Sequence, residues 1–153
     1  MEKIRIYLDD IRTPKGPEWV VVRSYDQFVA KVKKVGLQNI LTISLDHDLG
    51  DSAIQEYHRN VWNNYKLDYN NIIEKTGYDC AKWLVDHFID TNEKWNALSR
   101  AEKKGSRIPF PHITTHSANP IGSANIMGYI NNFFKNEAQL ENCVRVQIPH
   151  TTI

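Results

Sequence analysis

Cysteine is nearly absent. Cys80 and Cys143 are the only two in 153 residues, far apart and outside any paired motif. That pattern speaks against a disulfide framework or a thiolate zinc site, and two buried thiols in a reducing cytoplasm are expected. A dominant sign of charge is missing as well. Nineteen Lys and Arg stand against 18 Asp and Glu, a net charge of +1, so no global field draws the chain to nucleic acid or membrane. No DNA-binding motif is evident. No apolar run approaches the roughly 18–20 residues of a membrane span, and residues 1–6 read as a strand rather than a signal peptide. The glycine fingerprints of Walker loops and dinucleotide-binding folds are lacking. Ser117 sits in no Gly-x-Ser-x-Gly elbow, which weakens a serine hydrolase reading.

What is present suits one folded domain. Hydrophobic residues make up 41% and charged residues 24% of a chain of common single-domain length. Ile4, Ile6 and Leu8 alternate in a strand that stops at Asp9-Asp10. Two prolines and a glycine between Thr13 and Glu18 forbid a helix there, and Trp19 to Val22 is a second, short strand. Ser24 and Gln27 have the spacing of a capping box for a helix carrying Phe28, Val29, Val32 and Val35 on one face and ending at Gly36. Ile40 to Leu45 is apolar nearly throughout, as a strand covered on both faces would be, and it ends in Asp46-His47-Asp48-Leu49-Gly50. Thr76-Gly77-Tyr78-Asp79 opens a helix with Ala81, Leu84, Val85, Phe88 and Ile89 as its apolar stripe. Pro111 to Thr115 is a fourth strand, ending in His116-Ser117-Ala118-Asn119-Pro120. Ser123 is a candidate cap for a helix with Ile126, Met127 and Ile130 inward. Cys143 to Ile148 is the fifth strand.

Two polar excursions interrupt this order, at about 51–72 and 93–107. The first is Asn- and Tyr-rich, with one irregular helix. The second carries five basic residues against two acidic ones, as a solvated face or a contact for a phosphate-bearing ligand. The alternation of strand and helix over 1–153 predicts a single α/β domain: a mostly parallel five-stranded sheet with helices on both faces. Such sheets bind ligands at the carboxyl ends of their strands, where the polar clusters lie.

Four carboxylates, Asp9, Asp10, Asp46 and Asp48, should therefore converge. Crowded like charges raise one another's pKa unless a cation neutralises them, and oxygen ligands at a sheet edge suit Mg²⁺ or Mn²⁺. Strand alternation puts Asp46 and Asp48 on one side and His47 on the other, provided the strand runs that far. The plainer alternative for each cluster is a turn built on Asx side chains.

The acidic pair Asp9-Asp10, Asp46 after the central strand and Ser117 after the next strand resemble a response-regulator receiver domain. In receivers these positions hold Mg²⁺, accept a phosphoryl group and contact it. The chain departs from receivers in lacking a helix between its first two strands, a lysine in the stretch from Val144 to Pro149, and a helix beyond it. The fuller pattern is similar to a divergent branch, the cyclic-phosphate processing receiver-like family, whose members are bacterial and viral. It is carried by Leu8-Asp9-Asp10-Ile11-Arg12-Thr13-Pro14, Ser44-Leu45-Asp46-His47-Asp48-Leu49, Thr76-Gly77-Tyr78-Asp79 and His116-Ser117-Ala118-Asn119-Pro120-Ile121-Gly122.

The resemblance implies a cytoplasmic, metal-dependent phosphoesterase that processes a cyclic or terminal phosphate on a nucleotide or RNA end. Asp9, Asp10, Asp46 and Asp48 are the candidate cation ligands. His47 and His116, with Asp46, are the candidate catalytic groups, an imidazole being able to move a proton near neutral pH. Arg12, Ser117 and Asn119 are the candidate phosphate contacts. The alternatives are a receiver phosphorylated on Asp46 and a non-catalytic module that binds a phosphorylated ligand or a protein partner.

Overall fold

The computed structural model describes residues 2–99 and 108–137. Four parallel strands form the sheet: β1 (Ile4–Leu8), β2 (Trp19–Val22), β3 (Ile40–Leu45) and β4 (His112–Thr115), in the spatial order β2-β1-β3-β4. The order reverses between β1 and β3, the kind of switch point where open α/β sheets place ligands. The expected fifth strand, at Cys143 to Ile148, lies outside the described residues. The sheet seen here has four strands rather than five.

Helix α1 (Tyr25–Val35) begins as its residues require. Ser24 Oγ accepts from the Gln27 amide, and the Gln27 side chain reaches back to the Arg23 amide. Between β3 and the next long helix runs a continuous helical stretch: α2 (Asp51–Glu56), a π-helical turn (Tyr57–Val61) and the short α3 (Trp62–Asn64). This is the irregular helix of the first excursion. Helix α4 (Gly77–Ala97) is longer than its apolar stripe suggested and takes in the start of the second excursion. Helix α5 (Pro120–Glu137) is capped by Asn119, not by Ser123. Asn119 Oδ1 accepts from the Gly122 amide, and Pro120 fills the first helical position, where no amide hydrogen is needed.

Helices α1, α4 and α5 pack side by side. Their buried residues, among them Phe28, Val32, Leu84, Phe88, Ile126 and Ile130, form one core with Ile6, Leu8, Ile43, Leu45 and Ile113 of the sheet. The other side of the same strands carries Arg5, Tyr7, Thr42, Ser44, His112 and Thr114, matched in register. Among the described residues, therefore, the long helices form a single layer rather than two. The reason lies between β1 and β2, where Pro14, Gly16 and Pro17 replace a crossover helix by a loop.

Candidate active site at the ends of three strands

The strand ladder places the site. Leu8, Leu45 and Thr115 are level in register, and hydrogen bonding continues one residue further. The Asp9 amide donates to Val22 O, the Asp46 amide to Leu8 O and the His116 amide to Leu45 O, at 2.9–3.1 Å. Asp9, Asp46 and His116 thus stand in a row at the carboxyl ends of adjacent strands. Each offers a ligand atom within 4.8 Å of the others.

Asp9 is buried and fully engaged. Its Oδ1 accepts from the Ile11 and Arg12 amides at 2.9 and 2.7 Å, while Oδ2 meets Arg12 Nε at 2.8 Å and His116 Nε2 at 3.1 Å. Burial alone would raise its pKa, but the two amides and the guanidinium outweigh it and hold Asp9 below the ordinary carboxylate value. Asp46 goes the other way. Burial first, and the Asp9 charge second, push it up to about 6, against the opposing effects of Arg12, the Ser117 hydroxyl and the His47 amide. Asp10 is also raised, by burial and then by Asp9 and Asp48. All four predicted carboxylates line one open cleft of about 260 Å³, together with Arg12 and Ser117.

Arg12 reaches the row from the β1–β2 loop. Its Nη2 lies 3.2 Å from His116 O and 3.6 Å from Asp46 Oδ1, and half of its side chain stays exposed. Arg23, not anticipated from the sequence, fixes that loop. Its guanidinium donates to the carbonyls of Asp9 and Arg12 and to Thr13 Oγ1. The only hint was a basic residue directly after β2.

His116 stacks on Tyr7 at 4.0 Å between ring centres, and its Nδ1 is 2.7 Å from Ser44 Oγ. Burial lowers its pKa from the ordinary imidazole value despite the nearby Asp9, so it is neutral at pH 7. Ser44 was legible only as one of two hydroxyls, with Thr42, in a mostly apolar strand, two residues before Asp46 and so on the same side.

His47 and Asn119 are placed elsewhere. The strand stops at Leu45, so alternation does not reach them, yet Asp46 and Asp48 both line the cleft while His47 is fully buried. His47 Nδ1 contacts Asp48 Oδ1 at 2.7 Å, and its Nε2 meets the Tyr69 hydroxyl at 2.9 Å. Tyr69 also accepts from Asn125 Nδ2 at 3.0 Å and, chiefly by burial, is pushed up to about 12, so it stays protonated. Asn119, besides capping α5, donates to Asp48 at 3.3 Å. Both residues hold Asp48 and stand outside the cleft lining.

The Thr76-Gly77-Tyr78-Asp79 segment has a structural role. Thr76 Oγ1 accepts from the Tyr78 amide and Asp79 Oδ2 from the Thr76 amide, a reciprocal cap. Gly77 lets this helix start touch the site backbone. A Cβ there would lie 1.9 Å from Asp46 O, and the Gly77 amide donates to His47 O.

The motifs, in their order along the chain, and this strand-end row go with one family. The model of the cyclic-phosphate processing receiver domain matches residues 4–132. The chain belongs to that family. No curated protein and no solved structure matches it. For this receiver domain, the residues present fit a hard divalent cation: oxygen donors converge, and four carboxylates face one guanidinium within the cleft. The tight cluster consists of Asp9, Asp46 and His116, with Asp10 and Asp48 as further cleft-lining carboxylates. No helix among the described residues is long and apolar enough to cross a membrane. Cys80 is a buried free thiol, and Cys143 lies outside the described residues.

Proposed function

We propose that this domain is a phosphoesterase acting on a cyclic or terminal phosphate of a nucleotide or RNA end, with Mg²⁺ or Mn²⁺ as cofactor. The observation that carries the reading is the row of Asp9, Asp46 and His116 beside Arg12 in one open cleft. The carboxylates Asp9, Asp10, Asp46 and Asp48 would hold the cation. When bound there, a divalent cation neutralises phosphate oxygens and makes a water more acidic. Without it, four carboxylates would repel a phosphate.

The protein's own groups divide the remaining work. Arg12 is anchored through Nε to Asp9 and through Nη2 to His116 O, and the exposed part of its fork is left for phosphate oxygens. Ser117 lines the same cleft and its hydroxyl donates to Asp46; it would turn that one proton to a phosphate oxygen only when a cation engages Asp46. With Nε2–H directed at the Asp9 carboxylate, the basic nitrogen of His116 is Nδ1, which meets Ser44 Oγ; His116 would take a proton from water through that hydroxyl, or give up its Asp9 contact to act as a ligand. His47 and Asn119 act by holding Asp48 rather than by touching substrate.

The test is phosphate-ester opening in a panel of 2′,3′-cyclic nucleotides and RNA ends bearing 2′,3′-cyclic phosphates, with and without Mg²⁺ or Mn²⁺. Metal-dependent turnover that Asp46→Asn abolishes and His116→Gln slows about 10²–10⁴-fold supports the proposal. No turnover with any member of the panel sinks it. A second reading, a non-catalytic phosphate-binding module, draws support from Asp9, whose oxygens are already satisfied within the protein. It predicts metal-dependent binding of the same compounds without turnover.

A further inference from the structure

We propose that the apolar part of the cleft is a nucleobase subsite built on Tyr57 and His58, so that the substrate carries a base next to its phosphate. This rests on the phosphate reading above and adds to it the residues that would hold the base.

The cleft has two chemistries. Beside its carboxylates, Arg12 and Ser117, it is lined by Ile11, Ile54, Tyr57, His58 and Ala118. A site for phosphate alone has no use for that second set. The aromatic rings continue outward: Tyr57 lies edge-on to His58 at 5.2 Å and to Trp62 at 6.1 Å. Ile11 and Trp62 are both about 70% exposed, at 71% and 72%. These residues sit where the helical stretch after Gly50 widens into a π-helical turn, a distortion that recurs at functional sites.

The occupant follows from size and charge. About 260 Å³ is below the usual range for drug-sized ligands and gives room for one nucleotide unit. A protein segment seated there would strip water from four carboxylates, which is costly without paired cations. A flat base needs only a π face to stack on, and every nucleobase presents one. Bases also tolerate an adjoining polar pole, because their own phosphate occupies it.

Titration in Mn²⁺ with adenosine 2′,3′-cyclic phosphate and with the base-free methylribose 2,3-cyclic phosphate tests the inference. Wild-type protein should bind the nucleotide about 5- to 150-fold more tightly, the usual effect of one base–aromatic stack. Tyr57→Ala should abolish that preference and Tyr57→Phe should retain it. A trinucleotide ending in the same cyclic phosphate identifies the source. Binding tighter than the mononucleotide points to an RNA end, and equal binding points to a free nucleotide. Equal affinity for the base-free compound and the nucleotide, or a preference that survives Tyr57→Ala, overturns the subsite while leaving the phosphoesterase reading standing. Binding of neither phosphate overturns both.

Discussion

At neutral pH Asp46 holds a charge that burial and Asp9 both oppose, and the consequence for stability has a definite sign. Its folded pKa of about 6 lies above the ordinary aspartate value of 3.8. The native state therefore binds the extra proton, and Asp46 costs stability progressively as pH rises from about 4 through 6. Two pKa units amount to roughly 3 kcal/mol at most. Asp46→Asn should accordingly stabilise the metal-free protein by roughly 1–3 kcal/mol at pH 8, and the gain should fade toward pH 4. Urea unfolding in a chelator at pH 8 and pH 4.5 measures both arms, and a variant no more stable than wild type at pH 8 would contradict the account. Tyr69 gives a second residue-scale expectation. Tyr69→Phe removes the hydroxyl that His47 Nε2 and Asn125 share. A buried imidazole nitrogen without its partner costs about 1–3 kcal/mol, readable as a lower urea midpoint with an unchanged m-value.

Among the elements, the segment between β3 and α4 depends on two acids that sequence periodicity does not reveal. Glu56 is buried and gathers Asn60, Asn71 and the Asp68 amide. Burial would raise its pKa, but those hydrogen bonds lower it, so its contribution is present at neutral pH and is lost as pH falls through the carboxylate range. Glu74 binds the Ser52 hydroxyl and the Ala53 amide, tying down the start of α2. Glu56→Gln should speed amide hydrogen exchange across residues 57–71 while leaving the β3 amides protected. Uniform acceleration through the sheet would count against a local role. The start of α4 sets two effects against each other. Gly77→Ala should gain up to about 1 kcal/mol in helix propensity. The added methyl would fall 1.9 Å from Asp46 O, and overpacking against backbone costs about 1–3 kcal/mol or more. The second effect is the larger, so the variant should be less stable and its cation affinity weaker. A stabilised Gly77→Ala protein would show that the close approach does not exist.

Across the whole molecule, a cation that binds only the native fold should raise the melting temperature. At one hundred times its Kd it adds about 2.7 kcal/mol, or roughly 5–10 °C for a domain of this size. The shift should vanish in Asp46→Asn, and a scanning fluorimetry series in Mn²⁺ checks it. The strands and their polar ends were legible in the sequence because both signals are local: Ile4, Ile6 and Leu8 run straight into Asp9. The convergence of Asp9 and His116, 107 residues apart, followed from those strand ends as well. The further partners did not: Arg23 meets its acceptors across the fold, and Tyr69 comes from a stretch with no periodic pattern to place it. Asn119 and His47 read as site residues because their neighbours are; only packing reveals that they face inward. The single helical layer was hidden for a similar reason, since β3, with Thr42 and Ser44 among four apolar residues, does not by itself say what covers its second face.

The level ends of β1, β3 and β4 have a consequence for how such a domain can change over generations. The row of Asp9, Asp46 and His116 hangs on backbone hydrogen bonds. Asp9 and His116 start two strands apart, roughly 9.5 Å at the backbone, and their side chains lean together over Asp46 to bring one ligand atom of each within 4.8 Å. The anchor points of the reacting groups are therefore inherited from the sheet. Side chains on the segments leaving those strand ends, such as Ile11, Tyr57 and His58, can be exchanged without disturbing them, provided the Ile11 and Arg12 amides that hold Asp9 stay in place. Diversification of ligand choice can proceed in the loops while the chemistry at the strand ends keeps its geometry.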